Sequence, residues 1–213
     1  MAKVQRRKAK SSASQPSSGS RGRSTARRVP ATRDDGFAPN VDPDPSEEVE
    51  QIYILGLRNA HAVEKEALQV MRRQVDRVTN YPEVSKRLRE HINETEEQVR
   101  RLGQILEQHQ AAPSMLKDLM TQVMGNAATI PHSTAGYEVL KNAFANQAFE
   151  AYEIAAYKAL ITMAMRQGDR KAIPLLKLSL AEEERMAKWC DETIGKLTVA
   201  YLDREAAGKA AHH

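Results

Sequence analysis

The placement of helix breakers is what most constrains this chain. After residue 45 the sequence is dominated by Ala, Leu, Glu, Lys, Arg and Gln, the residues that favour long packed helices. That background is interrupted at Asn80-Tyr81-Pro82, across 111–136 where Pro113, Gly125-Asn126 and the Pro131–Gly136 cluster fall, and at Gly168-Asp169. Each remaining segment has about 30 residues, enough for a helix of about 45 Å at about 1.5 Å per residue. Aromatic residues make up 5% of the chain, so packing must come from many aliphatic side chains on helix faces. An all-α fold of one domain follows, with short links inside two helical hairpins and one long connection between them.

Helix 1 is predicted over 46–79. Ser46 offers an oxygen to a free amide, and Glu47, Glu48 and Glu50 put negative charge at the positive end of the dipole. Helix 2 follows Pro82 and ends near Gln110; Val84, Leu88, Ile92, Val99, Leu102 and Leu106 make one apolar stripe along it. The crossover is expected to contain a short amphipathic helix around Met115, Leu119, Val123 and Met124. Helix 3 is predicted over 137–166 and helix 4 over 170–205, with Pro174 tolerable only in the first turn of the latter. Up-down pairs joined by one long crossover are the connectivity of ferritin-like folds, so 46–205 is predicted to be a ferritin-like antiparallel four-helix bundle.

Charge divides the chain as well. Residues 1–33 carry ten Lys or Arg and no acid, against 22 basic and 28 acidic residues in the remainder. A segment with so few apolar side chains cannot offset the entropy of ordering its backbone. Residues 1–45 are therefore read as a disordered basic tail ending in the stiff Asp42-Pro43-Asp44-Pro45 linker, and 206–213 as a flexible C-terminus. Ten cations can release counterions from DNA without reading its sequence, which makes non-specific DNA a candidate partner; a solubilising extension is the plainer reading. The Arg- and Ser-rich start also has the make-up of an organelle transit peptide. Cys190 is the only cysteine, so one chain forms neither a disulfide nor a thiolate cluster. No apolar run approaches the roughly 20 residues that span a bilayer, and a soluble, cytoplasmic protein with no membrane partner is expected.

In an antiparallel hairpin, residues equally far from the turn lie side by side, and this sorts the acidic residues by height. Glu64 lies 16 residues before Asn80 and Glu94 lies 14 after it, within about 3 Å of one level. Glu153 and Glu183 flank Gly168-Asp169 at matching depth, and each pair is separated by 30 residues. Glu97 and Glu150 stand one turn away, at i+3 and i−3, and are read as a second layer on the side of the site away from both turns. Glu150 and Glu153 lie in the otherwise apolar stretch from Phe149 to Tyr157. Of the consecutive Glu182, Glu183 and Glu184, height selects Glu183, since at about 100° per residue all three cannot face inward.

Carboxylates buried together resist ionisation, whereas two divalent cations neutralise four such charges. The expected ligand set is therefore Glu64, Glu94, Glu97, Glu150, Glu153 and Glu183 around two metal ions. The bland alternative is that charged residues on long helices decorate solvated faces, which suits Glu64 and Glu97 in their charge-rich surroundings. His61 and His91 each precede a candidate ligand by three residues, so either ring can join the site or hydrogen-bond beside it. Tyr152, Tyr157, Met163, Met165, Trp189 and Cys190 read as packing residues.

Four segments carry a family resemblance. Ala62-Val63-Glu64-Lys65, His91-Ile92-Asn93-Glu94-Thr95 with Gln98, the Glu150–Tyr157 run and Leu180-Ala181-Glu182-Glu183 resemble the YciE/YciF family of ferritin-like bacterial stress proteins over about residues 47–200. The resemblance implies a ferritin-like bundle, a homodimer, a di-iron or similar di-metal centre and a role in stress responses. The usual ferritin pattern sets His three residues after Glu on helices 2 and 4; here Glu94 is followed by Glu97 and Glu183 by Met186. Such a histidine-poor shell leaves iron or manganese as the expected cofactor. The function expected is handling of metal or reactive oxygen species. A reading from a different class is a metal-free dimerisation scaffold whose basic tail binds DNA.

Overall fold

The structure, a computed structural model, describes residues 37–113 and 138–211. The basic tail before residue 37 and the expected short helix around Met115–Met124 lie outside the described residues. Among the described residues four helices form the bundle: α1 Glu47–Arg77, α2 Pro82–Gln108, α3 Glu138–Gln167 and α4 Ala172–Ala206. Their boundaries fall within two residues of those predicted, because the ends are written in local chemistry. Ser46 accepts from the amide of Val49 and three glutamates fill the first turn of α1. Pro82 opens α2 where its missing N–H leaves no bond unmade. Gly168 takes a φ of 79°, which a side chain would strain, and Asp169 accepts from the amide of Ala172 just ahead of Pro174.

The two turns sit at opposite ends of the bundle. Arg77 and Asn80 at the first turn meet Glu138 at the start of α3 and Ala210 beyond α4. Tyr53 near the start of α1 and His109 after α2 meet Asp169 in the second turn. Hence α1 and α4 run one way and α2 and α3 the other. Both α1 and α4 pack on α2 and α3, so packed neighbours are antiparallel and the parallel pairs lie on the diagonals. One expectation is corrected by this topology. No side of the site is away from both turns, and Glu97 and Glu150 step toward opposite ends rather than into one layer.

The core has two apolar halves. Tyr53, Leu57, Leu102, Leu106, Ile161 and Leu176 fill the half near the second turn. Leu68, Met71, Leu88, Leu140, Met186 and Leu197 fill the other. Where the halves meet, polar side chains are buried: Glu64, His91, Gln98, Glu150, Glu153 and Glu183 are each at most 4% exposed. Beyond α4 the chain folds back, so the stretch read as a loose end is fastened to the first turn: Tyr81 donates to the carbonyl of Ala211 at 2.6 Å and Asn80 to that of Ala210 at 3.1 Å. The Pro-rich linker is tied down too, with Arg166 donating to the Asp42 carbonyl and the Asp44 carboxylate.

Asp169 joins three elements: Tyr53 donates to it at 3.2 Å, His109 Nε2 lies 2.9 Å away, and the Ala172 amide donates at 3.1 Å. Asp169→Ala is expected to cost about 1–3 kcal/mol in urea denaturation, the range for a lost helix cap with a buried partner left unsatisfied. Unchanged stability would show that apolar packing alone closes this end.

Candidate metal centre

Each helix delivers its polar groups to the middle of the bundle by the same spacing that buries its apolar ones. The inner face of α2 runs through Leu88, His91, Thr95, Gln98 and Leu102, all buried at three- or four-residue intervals. Glu150, Glu153 and Tyr157 follow the same rule on α3, Glu64 lies between Ala60 and Ala67 on α1, and Glu183 lies between Leu180 and Met186 on α4. His91 Nε2 is 3.5 Å from Glu150 Oε2 and 3.5 Å from Glu183 Oε2. One ligand atom from each of the three lies within 4.8 Å of the others. Glu64 accepts from the Tyr157 hydroxyl at 2.6 Å.

Buried polar atoms without hydrogen-bond partners are rare, and three of those among the described residues are carboxylate oxygens of this cluster. Glu150 Oε2, Glu153 Oε1 and Glu183 Oε2 are buried without a hydrogen-bond partner. A hollow of about 10 Å³ touches His91, Glu150 and Glu153, room for roughly one water molecule or ion. Free carboxylate oxygens facing an imidazole suit a cation, and His91, Glu150 and Glu183 could hold a metal ion.

The electrostatics show the strain of the cluster without a cation. Burial pushes Glu64 up to about 7, against the hydrogen bond from Tyr157. Burial and neighbouring carboxylates hold Glu153 and Glu183 well above the usual range. Burial disfavours a charged His91, but the carboxylates of Glu150 and Glu94 beside it prevail and raise it to about 9. Glu94 goes the other way. Burial alone would raise it, yet the hydrogen bond from His91 and the charge of Arg87 bring it to about 2.

Two of the acids expected as ligands therefore lie elsewhere. Glu97 is 52% exposed and held by Arg100 at 2.6 Å, outside the cluster. Glu94 sits at the margin, bonded to Arg87 at 3.0 Å, Arg185 at 3.2 Å and His91 Nδ1 at 3.0 Å. It orients the ring, as carboxylates behind metal-binding histidines do. Both sit off the line of buried residues that contains His91, Thr95 and Gln98. Glu64, Glu150, Glu153 and Glu183 do come together. Sequence reasoning missed Glu182, which is buried and gripped by Arg101 through two bonds of 2.6 and 2.8 Å. Gln98 links the two regions by donating to Glu182 at 3.0 Å and to Glu183.

The profile of the family described as "Domain of unknown function (DUF892)" matches residues 48–203. The chain belongs to the DUF892 family. It is 30% identical over 166 residues to Protein YciF of Escherichia coli (strain K12), covering 76% of this chain and 97% of that protein. A solved protein from Xanthomonas campestris pv. campestris str. ATCC 33913 superposes with a TM-score of 0.65 at 28% identity, over 75% of this chain and 99% of that one. The structure of the E. coli stress protein YciF superposes at 0.60 with 24% identity, over 70% and 96%. Membership of the YciF family, read first from four short segments, thus rests on the whole bundle.

The pKa directions fix how the metal-free protein responds to pH. Glu64, with its folded pKa raised from 4.5 to about 7, contributes stability below pH 4.5 that is lost as pH rises through 7. His91, raised from 6.5 to about 9, contributes stability below 6.5 that is lost as pH rises through 9. Glu94, lowered to about 2, contributes above 4.5 and loses it as pH falls through 2. Thermal melts of metal-free protein should therefore show Tm declining from pH 5 to pH 9. A Tm that rises over that range would mean these groups are not buried together.

Proposed function

We propose that this DUF892 protein holds a pair of iron or manganese ions in its polar layer and handles metal or reactive oxygen species under stress. One observation carries the reading: Glu64, Glu150, Glu153, Glu183 and His91 converge from four helices on a buried region, and three of their carboxylate oxygens have no hydrogen-bond partner. Four carboxylates balance the charge of two divalent cations, and an oxygen-rich set with one imidazole suits iron or manganese. The E. coli relative is described as a stress protein, which supports that part of the proposal. A pair of such ions held by these residues would supply electron transfer toward dioxygen or peroxide.

The surrounding residues prepare the site. Glu94 accepts from His91 Nδ1 and turns Nε2 inward. Tyr157 occupies Oε1 of Glu64, leaving the other oxygen of that carboxylate for a cation. Arg101 neutralises Glu182, so that Gln98 can hold Glu183 in place without a further buried charge.

Anaerobic reconstitution of the full chain with Fe(II) or Mn(II) tests this directly. About two ions per chain and a Tm rise of several degrees are expected, since a ligand bound only by the folded state stabilises it. Less than about half an equivalent with an unchanged Tm would contradict the proposal. Glu183→Gln separates the metal role from a packing role. It removes a charge at constant volume, so metal-free stability should rise while metal affinity falls at least about tenfold. A fall in both, read by chemical denaturation and metal analysis, would make Glu183 a packing residue.

A further inference from the structure

The partnerless oxygens of Glu150, Glu153 and Glu183 are buried, so an ion reaches the polar layer only when two packed helices part. Four seams separate packed neighbours: α1–α2, α3–α4, α2–α4 and α1–α3. They are closed by different means. Arg72 pairs with Glu96 across α1–α2, and Lys158 with Glu184 across α3–α4. The α2–α4 seam is bridged by Arg101 to Glu182 and by Arg185 to Glu94, while Gln98 donates to Glu182 and Glu183 between them. Arg77 and Glu138 join α1 to α3, but at the first turn, roughly 20 Å along α1 from Glu64.

Beside the layer the α1–α3 seam is filled by small side chains and incompletely packed. A cavity of about 160 Å³ with Gly56, Ala60, Ala156 and Ala159 in its wall lies on one side of Glu153, and the hollow of about 10 Å³ against Ala67 and Val70 lies on the other. Glu153 lines both, and among the described residues neither is lined by a lysine or an arginine. Two effects then favour the same seam. Parting ion-paired helices breaks charge-assisted hydrogen bonds, whereas parting α1 from α3 here gives up mainly the dispersion contacts of small side chains, already thinned by the free volume. A divalent cation is also repelled by Arg87, Arg101 and Arg185 at the α2–α4 seam, and attracted by Glu64 and Glu153 at the floor of the α1–α3 seam. Phe149 beside the hollow and Tyr152 beside the cavity are partly exposed, and stand on the solvent side of Glu153.

We propose that divalent cations enter the polar layer from the side, through the α1–α3 seam, with Phe149 and Tyr152 swinging aside and Glu153 the first carboxylate met. This rests on the metal reading above and adds the route to it. The ion-paired seams stay shut during entry, and their arginines keep cations on the α1–α3 side.

Mn(II) is the probe, mixed rapidly with the metal-free full chain and followed by loss of the EPR signal of the free ion. Tyr152→Ala should speed uptake at least about fivefold and Ala156→Leu should slow it at least about fivefold, with the number of ions bound at equilibrium unchanged. Tyr152 is partly exposed, so its variant keeps the test valid if Ala156→Leu folds poorly. Arg72→Ala and Lys158→Ala remove bridges from two other seams and should leave the rate within about twofold. A second arm reads the seam without metal. In a Cys190→Ala background, methyl methanethiosulfonate should label Ala67→Cys in the α1–α3 seam at least about tenfold faster than Thr95→Cys on the inner face of α2, since labelling of a buried thiol follows local opening. Failure to take up Mn(II) overturns the metal reading and the route with it. Uptake that Tyr152→Ala and Ala156→Leu leave unchanged, uptake that Arg72→Ala or Lys158→Ala speeds as much, or equal labelling of the two cysteines overturns the route alone.

Discussion

A carboxylate cut off from water must be paired with a cation, protonated, or left at high energy, and this bundle treats its inner glutamates in two different ways. Glu182 is answered by a bidentate guanidinium from Arg101, and Glu94 by Arg87, Arg185 and His91. Glu64, Glu150, Glu153 and Glu183 share their region with one imidazole, one phenol and one amide, too few donors for eight oxygens. The contrast within one molecule matters, because arginine was available to α2 and was used one turn away. Leaving four acids without such partners keeps open a place that a protein cation would otherwise fill.

The rest of the architecture serves that arrangement. Two apolar halves close the layer from both ends, and each half has its own fastening: Asp169 with Tyr53 and His109 at one end, Tyr81 with Ala211 at the other. Opposite placement of the two turns makes packed neighbours antiparallel, so helix dipoles oppose one another across each contact. Cys190, at the edge of one apolar half, has its thiol pushed up to about 12 by burial and fills space there instead of acting as a nucleophile.

Helix breakers and caps act locally, which is why Ser46, Pro82, Gly168 and Pro174 gave the helix boundaries closely from sequence. Height counting also worked for Glu64, Glu153 and Glu183, since rise per residue is nearly constant. It could not supply azimuth. Glu94 and Glu97 have suitable heights but face the side and the solvent, and the stripe through Leu88, Thr95 and Leu102 is what turns His91 inward instead. His91 precedes Glu94, the reverse of the ferritin order, so the motif alone does not choose between a ligand and a hydrogen-bonding role for it. A comparison of its angle with that stripe would have recovered it. Glu182 was hidden by its acidic neighbours, and only the position of Arg101 on the facing helix explains its burial.

The central claim is that these carboxylates are kept free for metal ions, and anomalous diffraction from crystals grown with Mn(II) addresses it most directly. The account predicts two anomalous peaks in the layer, about 3.5–4 Å apart as in two-metal sites, within bonding distance of His91, Glu150 and Glu183 and flanked by Glu64 and Glu153. A map with no peak in that layer, or with its glutamates paired to lysine or arginine, would contradict it.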